Sequence, residues 1–162
     1  VAETQGAPDT ARVVAPPPLL FAGFLALGLV LDWALPGRLW PADPGWPWRW
    51  LVAAVPIGGA VLLALAAERS FRAVGTDARP WRPSTALARS GPYRFTRNPM
   101  YLGLVLLLVG IAVGSDGPWL LLQAPLLALV LQQGVIVREE AYLERKFGKD
   151  YQRYREQVRR WL

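Results

Sequence analysis

Arg97-Asn98-Pro99-Met100-Tyr101-Leu102-Gly103 opens the stretch that decides the fold. Behind it the chain runs to Ser115 without a charged residue, so a polar turn feeds straight into an apolar helix. Pro99 suits the first turn of a helix, where its missing N–H costs nothing, and Asn98 before it is a good N-cap. Val13–Leu31, Trp50–Ala67 and Gly117–Val137 are equally free of charge, and with Asn98–Ser115 these runs hold 18 to 21 residues each. A helix of that length rises roughly 27 Å or more, enough to cross a hydrocarbon core. Four such runs in 162 residues, 53% of them hydrophobic, leave little for a soluble core. The predicted fold class is all-α: a polytopic membrane protein with four transmembrane helices and a C-terminal cytoplasmic helix.

The chain contains neither histidine nor cysteine. Ser-His-Asp and Cys-His catalysis are therefore excluded, as are disulfides and zinc sites built on Cys or His. No dense acidic cluster invites a metal, and none is expected. A cleaved signal peptide is the alternative for the first run. Val1–Arg12 argues against it, being polar with Arg12 as its single base, and no small-residue cleavage site follows the run.

Three segments organise the chain. Residues 1–16 read as a flexible tail, 17–68 as two transmembrane helices, and 69–162 as the part that carries candidate chemistry. Pro36–Pro47, with four prolines beside Trp40 and Trp46, reads as an interfacial turn. Gly114–Pro118 is a tight hairpin, and Ala141–Gln157 in the charged tail is predicted helical. Segments 69–97 and 138–162 hold 15 of the 18 bases. The positive-inside rule places both, with both termini, in the cytoplasm. Topology and anionic headgroups account for the net charge of +6, so nucleic acid is not an expected partner.

Candidate chemistry gathers where those segments meet the apolar runs. A helix N-terminus at Pro99 offers free N–H groups and a positive dipole end, which suits a carboxylate. Plain capping explains Asn98 and Pro99 equally well, but not Tyr93, Tyr101 and Gly103 together. Glu139 and Glu140 lie where the fourth run ends, and neither has a base three or four residues downstream. Gln132, Val135, Glu139 and Tyr142 share one face of a regular helix, a stripe expected to face a cavity. Asp32, beside Trp33, is read as solvated at the interface, and Pro56 and Pro125 as kinks.

These pieces resemble the signature of the isoprenylcysteine carboxyl methyltransferase and phospholipid methyltransferase superfamily, in its bacterial integral-membrane form. The resemblance covers roughly residues 75–162. It rests on Gly75-Thr76, Pro83–Leu87, Gly91-Pro92-Tyr93, Arg97–Gly103, Glu139–Leu143, Phe147-Gly148, Tyr151, Tyr154 and Val158–Trp161. It implies a multi-pass inner-membrane enzyme with S-adenosyl-L-methionine as cofactor and a lipophilic small molecule as substrate. The cofactor residues it implies are Thr85, Ala86, Leu87, Ala88, Tyr93, Asn98, Pro99, Met100, Tyr101, Gly103, Glu139 and Glu140. Arg97 and Arg138 become candidates for orienting an anionic substrate in catalysis, with Gln132 and Val135 lining the substrate's side together with Arg138. Two departures stand out. Many relatives have histidine where this chain has Asn98, which cannot titrate near neutrality. Prenylcysteine-type members carry an arginine where this chain has Val135. Two other readings fit the same sequence: an NADPH-dependent isoprenoid or sterol reductase, and a non-catalytic lipid-binding membrane subunit.

Overall fold

Small residues decide how the longest helices meet. In the computed structural model, which describes residues 10–40, 42, 45–76 and 84–162, six helices form and no strand appears among the described residues. They are α1 (Pro17–Ala34), α2 (Trp46–Ala73), α3 (Pro99–Ser115), α4 (Pro118–Leu131), α5 (Val137–Phe147) and α6 (Lys149–Gln157). A 3₁₀ turn covers Gly91–Arg94, and a π-turn, Gln132–Ile136, joins α4 to α5 in one continuous rod. Ala53, Ala60 and Ala67 are buried along one side of α2. Facing them on α3, Gly103 and Gly110 approach so closely that a Cβ would stand 3.3 Å from the Ala60 carbonyl and 3.2 Å from that of Ala53. Close backbone approach of this kind is how helices associate where lipid removes the hydrophobic drive. The second seam is α1 against α4, where Gly28 lies against Leu120 and Gln123.

Among the described residues, three helices are long and apolar enough to cross a membrane: α1, α2 and the rod Pro118–Phe147. The fourth expected span, α3, is apolar but shorter at 17 residues. Leu19, Val30, Val55, Leu62 and Leu129 point outward with no protein cover, an apolar exterior that a bilayer would solvate. Between the helices, Leu108, Leu120, Leu127, Leu131 and Ile136 fill the core.

One end of the bundle is tied by two aspartates. Asp32 is not simply solvated as expected. Its carboxylate accepts from the Trp119 and Leu120 N–H groups (2.9 and 3.1 Å), capping α4 from a neighbouring helix. That anion meets the positive end of the α4 dipole. Asp116, at φ +61° in the predicted hairpin, accepts from the Leu39 and Trp40 N–H groups and pairs with Arg49 at 3.2 Å. Burial pushes the Asp116 carboxyl up, but those N–H groups with Arg49 and Arg38 outweigh it and hold the carboxyl below the ordinary aspartate range.

Two further expectations are corrected. Residues 10–16 are not a loose tail: Ala11 is buried, and the Val14 N–H donates to the Gly134 carbonyl inside the π-turn at 3.1 Å. Residues 1–9 lie outside the described set. The C-terminal helix is also not continuous from Ala141 to Gln157. Gly148, at φ +52°, breaks it into α5 and α6, a backbone conformation that glycine adopts without strain.

Candidate functional site

At the opposite end from the aspartates, α2, α3, α5 and α6 converge on a cleft enclosing about 800 Å³, its open mouth included. One wall comes from the polar connection, with Ser84, Ala86, Leu87, Ala88 and Tyr93. Arg97, Asn98, Met100 and Tyr101 at the start of α3 form the floor. The far wall is Glu139, Glu140, Tyr142 and Leu143 of α5, with Tyr151 and Tyr154 of α6. Phe71 from α2 and Ala11 from the N-terminal segment complete it.

Aromatic packing makes the cleft rigid on one side. Phe71 meets Tyr93 edge to face at 5.2 Å between ring centres. The Tyr154 hydroxyl donates to the Tyr93 carbonyl at 2.8 Å, which fastens α6 over the polar connection. Burial first, and then the Glu139 carboxylate, push the Tyr93 phenol far above its ordinary range. It stays a neutral hydrogen-bond donor at every working pH. Tyr151 and Tyr154 are driven the same way, chiefly by burial.

The two neighbouring acids have different partners. Glu139 accepts the Tyr101 hydroxyl at 2.7 Å, joining α5 to α3, and remains partly open to the cleft. Glu140 is gripped by Arg160, whose Nε and Nη2 reach its two oxygens at 3.1 and 2.6 Å. Arg97 Nη2 approaches the same carboxylate at 3.1 Å. The Arg97 side chain is 9% exposed, and its Nε and Nη1 are buried without a protein partner. Buried donors left unsatisfied are costly and rare in native structures. The cleft-lining guanidinium thus keeps two donors that no protein acceptor takes up.

The last residues of the chain hold this arrangement from below. The Arg159 carbonyl accepts from the Arg97 N–H at 2.9 Å, and the Arg160 carbonyl accepts from the Asn98 side chain at 2.9 Å and the Thr96 hydroxyl at 3.2 Å. Trp161 Nε1 donates to the Gln132 side chain at 2.9 Å. Asn98 therefore occupies the N-cap position of α3 but makes no side-chain cap; its amide is spent on the C-terminal segment.

Of the residues singled out in the sequence, the cleft gathers Ala86, Leu87, Ala88, Tyr93, Arg97, Asn98, Met100, Tyr101, Glu139 and Glu140. The others stand elsewhere. Thr85 turns back to Thr76 and Gly75, Pro99 is buried in the first turn of α3, and Gly103 is at the α2–α3 seam. Arg138 reaches out to the Arg12 carbonyl. The stripe Gln132–Val135–Glu139–Tyr142 is split because the π-turn adds a residue to the repeat. Glu139 and Tyr142 face the cleft, while Gln132 binds Trp161 and Val135 is sealed in the core. Ala11 and Phe71 line the cleft without having been anticipated, and Ser84 and Leu143 lay within the resembling stretches but not among the expected site residues. Tyr151 and Tyr154 were visible as an aromatic repeat, and a three-residue spacing on a helix puts them side by side.

The fold and site define a helical bundle of the integral-membrane class, with an apolar exterior and an aromatic, arginine- and glutamate-bearing cleft at one end. Residues 48–150 match the phospholipid methyltransferase family, and the chain belongs to it. Methyl transfer is the activity that this family brings. The chain is also 46% identical over 65 residues to an uncharacterized protein of Haemophilus influenzae; the match takes in 39% of this chain and the whole of that protein. No solved structure matches the chain.

Proposed function

We propose that the protein is an S-adenosylmethionine-dependent methyltransferase, with the cofactor in the cleft and a lipophilic acceptor arriving from the bilayer. Bound there, adenosylmethionine would supply an activated methyl group on a positively charged sulfur. The observation that carries the reading is Arg97, with two buried donors free of protein partners. Either can give a charge-assisted hydrogen bond to the carboxylate at the amino-acid end of the cofactor; the two lie on opposite flanks of the guanidinium, so each takes its own acceptor. Glu139, fixed by Tyr101, suits hydroxyl or ammonium donors. The Phe71, Tyr93 and Tyr154 rings suit a flat, apolar base.

The protein's own contribution is placement and dryness rather than a covalent intermediate. Tyr101 and Arg160 pin the two acids, so polar contacts are held before a ligand arrives. Asn98 is tied to the C-terminal segment and has no titratable proton near neutrality. A general base at that position is therefore not part of the mechanism. We further propose four membrane crossings, α3 being the fourth, with the cleft and both termini on the cytoplasmic side. The basic segments 69–97 and 138–162 supply the charge asymmetry.

Membranes enriched in the protein, supplied with methyl-labelled adenosylmethionine, should transfer label to material that extracts into organic solvent. The Arg97→Gln variant should transfer at least about tenfold less, the size expected for a lost charge-assisted contact. Organic-soluble label no greater than in membranes lacking the protein would count against the reading.

A further inference from the structure

The cluster beneath the cleft has an imbalance of charge. Arg97 and Arg160 both meet the single carboxylate of Glu140. Arg160 takes both oxygens, through Nε and Nη2, whereas Arg97 spends only Nη2. Glu140 is thus neutralised from outside the cleft, by a residue 20 positions further along the chain. One positive charge remains in excess, on the guanidinium whose Nε and Nη1 lack partners. Without Arg160, the carboxylate would fall to Arg97 alone, and that excess would vanish.

We infer that Arg160 is a positioning residue: by neutralising Glu140 it leaves Arg97 charged and unspent, so that the cleft accepts an anionic group. This rests on the reading of the cleft as a cofactor site and deepens it by assigning the C-terminal segment a part in ligand selection. Its backbone already runs along the floor, with the Arg159 and Arg160 carbonyls accepting from Arg97, Thr96 and Asn98. Those contacts use the main chain and survive substitution of the side chain, so the electrostatic role separates from the structural one. The anion is a carboxylate or a phosphate, either of which accepts a charge-assisted hydrogen bond from a single guanidinium N–H.

Binding to the detergent-purified protein tests this without turnover. The probes are S-adenosylhomocysteine, which has the carboxylate, and 5′-methylthioadenosine, which has the same nucleoside but lacks the amino-acid end. For Arg160→Gln, adenosylhomocysteine affinity should fall about tenfold, equivalent to about 1.4 kcal/mol, with methylthioadenosine changed less than about twofold. Arg160→Lys, which keeps the charge, should stay within about threefold of the wild type for both. The double variant Arg160→Gln/Glu140→Gln should recover most of the lost affinity, because there is then no carboxylate to neutralise. If adenosylhomocysteine keeps its affinity in Arg160→Gln, or both probes weaken equally, the inference is overturned while the cofactor reading stands. An unchanged loss in the double variant overturns it too. Inorganic phosphate that competes with adenosylhomocysteine in the wild type and not in Arg160→Gln would show that the same guanidinium also takes a phosphate. Wild-type protein that binds neither nucleoside removes the cofactor reading, and this inference with it.

Discussion

Glu139 and Glu140 are adjacent in sequence, yet only Glu139 keeps an open side toward the cleft. If it holds a polar group of the cofactor, Glu139→Gln removes a charge-assisted bond worth roughly 1.5–3 kcal/mol. Affinity for adenosylhomocysteine should then fall about ten- to a hundredfold. Glu144→Gln is the control. That acid pairs with Arg155 and Gln152 on the outer side of α5, with a third of its surface exposed, so its loss should alter affinity less than about twofold. Equal affinities for both variants would remove Glu139 from the site. Asp116 offers a second test. Its folded pKa lies below the unfolded value near 3.8, so its contacts contribute stability at higher pH, and this is lost as pH falls through the folded value. Asp116→Asn should lower the thermal midpoint at pH 7, and the gap from wild type should begin to narrow only below the unfolded value near 3.8 and close as the pH falls through the lower folded value. A gap independent of pH would contradict that account. The sequence exposed these residues unevenly. Acids without a nearby base drew attention to Glu139 and Glu140, but the bases that serve Glu140 come from Arg97 and Arg160, far away along the chain. Asp32 was misjudged for the same reason, since its partners belong to α4.

At the scale of the helices, apolar length was the legible signal. The ends of the four apolar runs match α1 to α4 within a few residues, except where α2 extends to Ala73 and the last rod to Phe147. The π-turn was not legible, because a 3.6-residue period was assumed throughout and nothing in Gln132–Ile136 announces the extra residue. That single turn sent Gln132 and Val135 away from the cleft. Gly103 was read as part of the cofactor site; the seven-residue spacing shared by Gly103/Gly110 and Ala53/Ala60/Ala67 was the available sign of a helix seam. The seam yields a prediction. Gly110→Val should destabilise the protein by about 1–3 kcal/mol, since side-chain atoms there press on Ala53 and Ile57. Gly58→Ala, whose Cβ meets nothing within 4 Å, should be neutral or slightly stabilising. Thermal unfolding in one detergent decides between them, and equal midpoints for the two variants would mean that the α2–α3 contact is not as close as described.

The whole molecule is polarised. Asp32 and Asp116 tie one end, while the cleft with Arg97 and, beneath it, Arg160 occupies the other. The chain has no cysteine, so single introduced cysteines report topology cleanly. Cysteine at Arg94 or Glu156, both exposed at the cleft end, should be labelled by an impermeant reagent only after the membrane is opened. Cysteine at Gly37, exposed at the aspartate end, should be labelled in intact cells. The reverse pattern would invert the proposed orientation. The cleft itself is the central claim, and ligand binding to the purified wild-type protein tests it most directly. Calorimetry with S-adenosylhomocysteine should show saturable binding at one site per chain, with NADPH under the same conditions binding far more weakly. Binding of NADPH without binding of adenosylhomocysteine would contradict the account.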